Sequence, residues 1–315
     1  MSVFHHQPIL LTEVVAALQP KPGGRYVDGT LGGSGHAAAV LRASSPTGRL
    51  FACDRDGEAV AVARERLCEF GDRVEIRQGN YSELGGWIEA GSCDGVLLDL
   101  GVSSYQLDTA ARGFSFLQDG PLDMRMNPKQ GESAADLVAR LSEFDLAKLF
   151  WELGDESQSR RLARAIVQDR VATPYRTTRQ LAELAERVCP RGGRKTHPAT
   201  RIFQALRMTV NDEMGHLLGG LTTCWDLLRP GGRFVVITFH SLEARAVKQF
   251  GQLLSRGYDV QGDVDIPELR QPKPVELRLV TRKPVEPGPE EVAANPRARS
   301  AQMRVMEKVS HGEKP

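Results

Sequence analysis

The stretch able to do chemistry is Asp28-Gly29-Thr30-Leu31-Gly32-Gly33-Ser34-Gly35-His36, set between the short apolar run Tyr26-Val27 and an Ala/Val/Leu run ending at Leu41. A strand, a loop with four glycines and a helix form the layout of a nucleotide-type cofactor site. The glycines let the backbone turn and approach a ligand that any Cβ would push away, and the helix start offers free N–H donors. The spacing D-G-T-x-G-G-x-G-H departs from G-x-G-x-x-G, and by itself it also suits a plain strand–helix turn. Asp54, 26 positions after Asp28 at the end of Arg49-Leu50-Phe51-Ala52-Cys53, shifts the reading toward a cofactor domain. A second-strand acid there hydrogen-bonds a ribose diol, whereas an isolated one would cap a helix or end a strand in solvent.

Those residues need a frame. A chain of 315 residues can bury a substantial core and suggests one large domain or a domain with an insertion. Hydrophobic content of 41% and charged content of 26% are those of a globular protein, and a net charge of +1 excludes blanket affinity for polyanions. Any nucleic-acid face is therefore local. No apolar run reaches membrane-span length, and Pro8 and Glu13 interrupt the only apolar patch near the N-terminus, so no signal peptide is read there. The five cysteines, Cys53, Cys68, Cys93, Cys189 and Cys224, are odd in number and include no C-x-x-C pair, so neither a metal site nor a disulfide framework is expected. The expectation is a cytoplasmic protein without a membrane anchor.

In chain order, Ile9–Leu18 suits a short helix on a sheet edge, and His6 offers either a substrate contact or a plain surface histidine. Asp56 can cap a helix whose buried stripe is Val60, Ala63, Leu67 and Phe70. Val74–Gln78 reads as a third strand leading to Tyr81, whose ring could flank an adenine or pack at a strand end. Cys93–Asp99 reads as a fourth strand, apolar enough to be buried on both faces, and it ends in Asp99-Leu100-Gly101-Val102-Ser103-Ser104. The β-α alternation stops there and resumes near 214–228, where Leu227–Arg233 reads as a helix stop and turn before the strand Phe234–Thr238, and a helix follows from Leu242. Residues 257–275 read as a polar excursion, Leu277–Thr281 and Ala301–Met306 as a closing antiparallel pair joined by a Pro284–Pro296 linker, and Gly312–Pro315 as a disordered end.

Between Gln106 and Asn211 the chain reads as helices and loops, with helices at 132–141, at 143–153 and from Thr177, whose box with Gln180 marks the start. The domain boundaries follow: 1–105 with 212–315 as the core, and 106–211 as the insertion. Charge divides the insertion. Residues 106–156 carry 5 Lys/Arg against 10 Asp/Glu, a balance of −5, and residues 157–210 carry 12 against 3, a balance of +9. The second half, with Arg160, Arg161, Arg164, Arg191, Arg194 and Lys195, is a candidate phosphate-binding face, unless the acidic half neutralises it. After His197-Pro198, the residues Arg201, Gln204, Arg207, Met208 and Asn211 fall within about 120° of one helical face, a stripe suited to an anionic partner.

Several blocks together resemble the bacterial 16S ribosomal RNA N4-cytosine methyltransferase family (RsmH, also called MraW), and the match runs essentially end to end. They are Asp28–His36, Leu98–Ser104, Gly113-Phe114-Ser115-Phe116, Asp119–Met126, His197-Pro198-Ala199-Thr200-Arg201, Phe239-His240-Ser241-Leu242-Glu243 and Asn295–Ser300. The resemblance implies an α/β, Rossmann-like class I core using S-adenosylmethionine (SAM), interrupted by an all-helical substrate-recognition domain. It implies that Asp28, Gly32, Ser34, Gly35, His36, Asp54, Tyr81, Asp99 and Gln106 line the SAM pocket, and that the substrate is a cytidine in the decoding (P-site) region of 16S rRNA in the small ribosomal subunit. Tyr81 stands where many relatives carry Phe, which keeps an apolar contact.

The exocyclic amine of cytosine is a poor nucleophile because its lone pair is delocalised into the ring. Nitrogen, methyl and sulfur must be aligned and a proton accepted as the C–N bond forms. Asp99 is the first candidate for that role, with Asp123 and His240 behind it, although Asp99 could equally serve the cofactor. Enzymes that methylate exocyclic amines often carry [DNS]-P-P-[YFW] at the fourth strand; here that place reads Asp99-Leu100-Gly101-Val102, so a base-clamping ring would come from Phe114, Phe116 or Phe239. His197, Arg201, Arg207 and Phe239 are the candidate substrate contacts, and a homodimer is one expectation for the assembly. Two rivals share part of the pattern. An NAD-dependent dehydrogenase would share the loop and the acid but not this spacing, and a non-catalytic RNA-binding protein would not require Asp28, Gly35, Asp54 and Asp99 together.

Overall fold

The computed structural model describes residues 8–190, 196–262 and 264–310, so the expectations for His6, Arg191, Arg194, Lys195 and 312–315 lie outside the described residues. The chain divides into two compact units, Met1–Gly101 with Gly215–Pro315, and Val102–Met214. Among the described residues no helix is long and apolar enough to cross a membrane.

In the first unit, helix α1 (Leu11–Leu18) precedes β1 (Arg25–Asp28), α2 (Gly35–Ala43), β2 (Arg49–Asp54), α3 (Gly57–Arg66), β3 (Val74–Gln78) and β4 (Cys93–Asp99). Asp56 starts α3 as expected, its side chain accepting the N–H of Glu58 at 3.0 Å. The insertion then supplies α4 (Ser104–Asp108), α5 (Ala134–Arg140), α6 (Glu143–Glu152), α7 (Ser159–Asp169), α8 (Thr178–Val188) and α9 (Ala199–Val210). After α10 (Glu213–Leu227) come β5 (Leu228–Thr238), α11 (Ser241–Ser255), β6 (Tyr258–Val260), β7 (Arg270–Pro272), β8 (Leu277–Leu279), α12 (Pro289–Ala294) and β9 (Gln302–Lys308).

Seven strands form one sheet in the order β3-β2-β1-β4-β5-β9-β8, and β9 runs antiparallel to both neighbours. From β1 the chain winds outward to β3, then returns to place β4 on the other side of β1. The carboxyl ends of β1 and β4 thus flank the point where the winding direction reverses, and that crevice is where open α/β sheets bind ligands. The pairings Asp28↔Ala52, Asp28↔Leu97, Leu97↔Val235 and Asp99↔Ile237 fix side-chain parity. Side chains alternate with period two, so Asp28, Asp54 and Asp99 all point to the face that carries Leu50, Leu97, Val235 and Ile237. That face is buried with Val14, Leu18, Ala37, Val40 and Leu41 of α1 and α2.

Three details differ from the sequence expectations. Leu228–Arg233 is not a separate turn: β5 begins at Leu228, which pairs with Cys93, and the four residues before Arg233 bulge out around Gly231. The excursion at 257–275 folds back as the antiparallel pair β6–β7. The Pro284–Pro296 segment holds α12, placed by Pro289 at a helix start and by Glu291, whose carboxylate accepts the Leu10 N–H at 2.8 Å.

The second unit has a core of its own, in which Leu122, Met124, Val138, Leu146, Phe150, Leu162, Ile166, Leu181, Ile202 and Leu206 are fully enclosed. Ser133 and Thr177 form capping boxes with Asp136 and Gln180. Sequence reading passed over α7, because its first turn, Ser159-Arg160-Arg161, shows charge before it shows the stripe Leu162, Ala163, Ile166. Phe150→Ala should remove about 3–5 kcal/mol from this unit, the range for emptying a buried aromatic site. Amide exchange should then accelerate across 102–214 while protection in β1 and β4 holds; equal acceleration in both would show that the units unfold as one.

Candidate active site

The loop after β1 is organised by its own polar atoms. Asp28 Oδ1 accepts the Thr30 N–H at 3.1 Å, and Thr30 Oγ1 accepts the Asp99 N–H at 2.6 Å, so Asp-Gly-Thr ties the end of β1 to the end of β4. Asp54 faces the loop from β2: Oδ2 accepts the Gly32 N–H and Oδ1 the Asp56 N–H, both at 2.8 Å. Ser34 precedes α2 in the left-handed region at φ 62° and makes no side-chain cap, which leaves the first N–H groups of the helix without a side-chain acceptor. Gly35 is required by close approach, since a Cβ there would collide with the Pro8 ring. His36 is buried, with Nε2 3.0 Å from Ile9 O and Nδ1 3.7 Å from Asp99 Oδ2.

Burial raises all three carboxyl groups, and neighbouring carboxylates add to it. Asp28 is pushed up to about 7, chiefly by burial and further by Asp54, against the pull of the Thr30 N–H. Asp54 is pushed up to about 6 by burial, with the Asp56 and Gly32 N–H groups opposing. Asp99 is pushed up to about 8, by burial first and then by Asp28 and Glu243. Its side chain keeps 22% of its exposure, and Oδ1 is enclosed with no hydrogen-bond partner. An acceptor-rich crevice with an open carboxyl oxygen suits a cationic ligand that also carries hydroxyls, which is the character of SAM: a sulfonium, an α-ammonium and a ribose diol.

Beside this cluster, Tyr81 is 9% exposed and its ring packs on Gly220 of α10, where a Cβ would collide with it. Phe239 and His240 form the turn between β5 and α11. The Phe239 ring lies against Gly101, and His240 caps α11, its Nδ1 accepting the Glu243 N–H at 3.4 Å. Sequence reading missed Glu243, which is 4% exposed and takes the Phe239 N–H at 2.8 Å; the S/T/H-x-x-E spacing was its signal.

The remaining expected site residues belong to the insertion, where several have partners that the sequence did not disclose. Gln106 is buried and completes the capping box of α4, its Oε1 accepting the Ser103 N–H at 3.0 Å. Asp123 is gripped by Arg125 through Nε at 2.9 Å and Nη2 at 2.6 Å, and these contacts outweigh burial and hold it below the usual carboxylate range. It is a poor proton acceptor for that reason. His197 Nε2 meets Glu186 at 2.7 Å, its Nδ1 accepts the Ala199 N–H at 3.0 Å, and Phe116 stacks on it at 4.5 Å. Phe114 is buried in the insertion core, and Phe116, half-buried, also packs on Phe203.

The expected polar stripe of α9 is largely used up at home. Met208 and Asn211 are buried, and Asn211 Nδ2 donates to Met124 O at 2.8 Å. Arg207, expected as a substrate contact, is held by both oxygens of Glu213, at 2.8 and 2.9 Å; Arg201 is exposed, with one nitrogen on Asp155 O. The same holds for much of the +9 half. Arg164, Arg179 and Arg187 pair with Glu143, Asp119 and Asp169, while Arg161 and Arg170 donate to the carbonyls of Val188, Val138 and Leu141.

A raised carboxyl pKa has a stability signature. The ordinary value lies near 4, so between there and about 8 the folded chain holds a proton on Asp99 that the unfolded chain has released. Folding stability without ligand should therefore fall as pH rises through that window, and Asp99→Asn should flatten the fall. Calorimetric melting at fixed ionic strength checks this, and parallel pH slopes for the parent and Asp99→Asn would refute it.

With this geometry in place, the comparisons with known proteins are specific. A family model described as "MraW methylase family" matches residues 3–309. "Ribosomal RNA small subunit methyltransferase H" of Geobacter sulfurreducens is 50% identical over 311 residues, covering 97% of this chain and 99% of that protein. The protein of the same name from Xanthomonas euvesicatoria pv. vesicatoria is 49% identical, covering 98% of this chain and 90% of its own length, and that from Heliobacterium mobile is 44% identical, covering 97% and 99%. Matched along nearly its whole length, the chain belongs to the MraW methylase family.

Proposed function

We propose that this protein is a SAM-dependent methyltransferase of small-subunit ribosomal RNA, acting in the cytoplasm on the exocyclic N4 of a cytidine in the decoding region of 16S rRNA. The observation that carries the reading is Asp99: a carboxyl group at the switch point of the sheet whose buried Oδ1 has no hydrogen-bond partner. The names borne by relatives at 44–50% identity support the choice of substrate. SAM, when bound, supplies an electrophilic methyl group on a sulfonium cation.

The chain's own groups divide the remaining work. Asp54 already holds the glycine loop through Gly32 and presents the carboxylate expected to accept ribose hydroxyls. The first turn of α2 offers N–H donors to the amino-acid end of the cofactor. Tyr81 offers an apolar edge for the adenine. Next to a cation, Asp99 is drawn back toward the carboxylate, and its Oδ1 is then an acceptor for the proton lost by the attacking amine.

Asp54→Ala should weaken SAM binding by roughly 1.5–3 kcal/mol, the range for hydrogen bonds to a charged group. Unchanged affinity by titration calorimetry in a folded variant would remove Asp54 from the site.

The product is tested by incubating the protein with methyl-labelled SAM and small subunits from cells lacking the activity, then digesting the RNA for mass spectrometry. N4-methylated cytidine is expected; label on cytidine C5, on a ribose 2′-oxygen or only on protein would overturn the reading. RNA affinity should also fall with salt, and Arg201→Ala should flatten that dependence by about one phosphate contact. Arg207→Ala, which strands Glu213, should leave the slope alone and cost about 3–5 kcal/mol of stability, as breaking an enclosed ion pair does.

A further inference from the structure

The motif Phe239-His240-Ser241-Leu242-Glu243 contains more polar geometry than a helix start needs. A capping box satisfies the N–H of the capping residue. Glu243 does this for His240, at 3.3 Å, and the same Oε2 reaches one residue further back to the Phe239 N–H at 2.8 Å. Oε1 lies 3.1 Å from His240 Nε2. One buried carboxylate therefore ties down the whole turn that leaves β5.

The consequence falls on the Phe239 ring. Gly101, with φ +90° and no side chain, leaves room for it; a Cβ there would stand 3.4 Å from Phe239 Cδ2. Gly101 is two residues beyond Asp99, and the Leu100 N–H on Ile237 O at 3.0 Å keeps the ends of β4 and β5 side by side. A half-buried, flat ring thus stands at the carboxyl edge of the sheet, next to the strand end that bears the open carboxyl group. In the insertion, Phe114 is buried, and Phe116, half-buried like Phe239, packs on His197.

We propose that Glu243 is a positioning residue for the target base: by holding the main-chain N–H groups of Phe239 and His240, it sets the Phe239 ring as the flat surface against which the cytosine lies. The inference rests on the methyl-transfer reading given above. Methyl transfer needs nitrogen, methyl and sulfur in line, so fixing the ring in advance contributes to alignment of the stacked base. A glutamine at 243 keeps one carbonyl oxygen for the Phe239 N–H; an alanine keeps none.

The test has a spectroscopic arm and a kinetic arm. With 4-fluorophenylalanine placed at 239, the parent and Glu243→Gln should share a fluorine resonance that is shifted in Glu243→Ala. In methylation of small subunits, Glu243→Ala should lower kcat by about 10- to 100-fold, as a small misplacement of reactants does. KM and the Kd for SAM should stay within about twofold, the pattern of a lost transition-state alignment, and Glu243→Gln should recover most of kcat. Phe239→Leu, which keeps the apolar volume and removes the flat ring, should reproduce the kcat loss, and it decides the matter if the alanine variant does not fold. An unshifted resonance, a fully active Phe239→Leu, or a loss that appears equally in SAM binding would overturn the inference. A parent that methylates no ribosomal RNA would overturn the proposed function instead.

Discussion

Three carboxyl groups share one face at one edge of one sheet, and the surrounding loops answer to that crowding. Placing like charges out of water is costly unless donors meet them or protons neutralise them. Asp54 has both oxygens on backbone N–H groups and is raised least, to about 6. Asp28 has the Thr30 N–H and is raised to about 7. Asp99, with Oδ1 open, is raised most, to about 8. The order of the shifts follows the count of donors, so Asp99 is the place where an outside cation relieves the most strain. The glycine loop belongs to the same logic, because Gly32 and Thr30 serve as donors to the acids as well as lining the crevice.

The insertion teaches a different lesson about charge. A balance of +9 over residues 157–210 reads as a phosphate face when only composition is known. In the fold, the guanidinium groups of Arg161 and Arg170 finish helix ends, and those of Arg164, Arg179, Arg187 and Arg207 answer carboxylates within the same unit. Arginine suits this work because its planar fork can hold two acceptors at once. Among the described residues Arg160 and Arg201 are exposed, and Arg164, Arg179 and Arg187 are exposed as well while engaged with carboxylates. Local steering by a few contacts is compatible with a chain whose net charge is only +1.

Much of the sheet was legible because parallel strands buried on both faces are dense apolar runs, and each of the first four ended in a polar turn where expected. The acids were legible for the same reason: each closes its strand. What sequence periodicity could not disclose were partners far along the chain. Nothing local marks Glu291 as the acceptor for Leu10 or Gly220 as the seat of the Tyr81 ring. The face of α9 was misjudged on the same ground. Met208 and Asn211 lie at helical spacing from Arg201, but Asn211 turns inward to satisfy the Met124 carbonyl, a choice visible only once Met124 is placed.

Capping geometry also narrows the choice of proton acceptor. Of the three candidates, Asp123 is held by two nitrogens of Arg125 and lies below the ordinary carboxylate range, so its affinity for a proton is weakened. His240 has its Nδ1 lone pair on the Glu243 N–H, which places the ring proton on Nε2, 3.1 Å from the Glu243 carboxylate. Its Nδ1 is thus committed to the start of α11. Asp99 alone among the three has an oxygen with no prior engagement, and it sits at the sheet's switch point, where bound ligands meet strand ends. Its raised pKa without ligand and the proposed proton-accepting role are consistent: what holds the proton on, burial and two neighbouring carboxylates, is what a bound cation opposes. Used as a base, such a carboxyl group would be more fully ionised with the cation in place, which would tie readiness for proton removal to occupancy of the cofactor crevice.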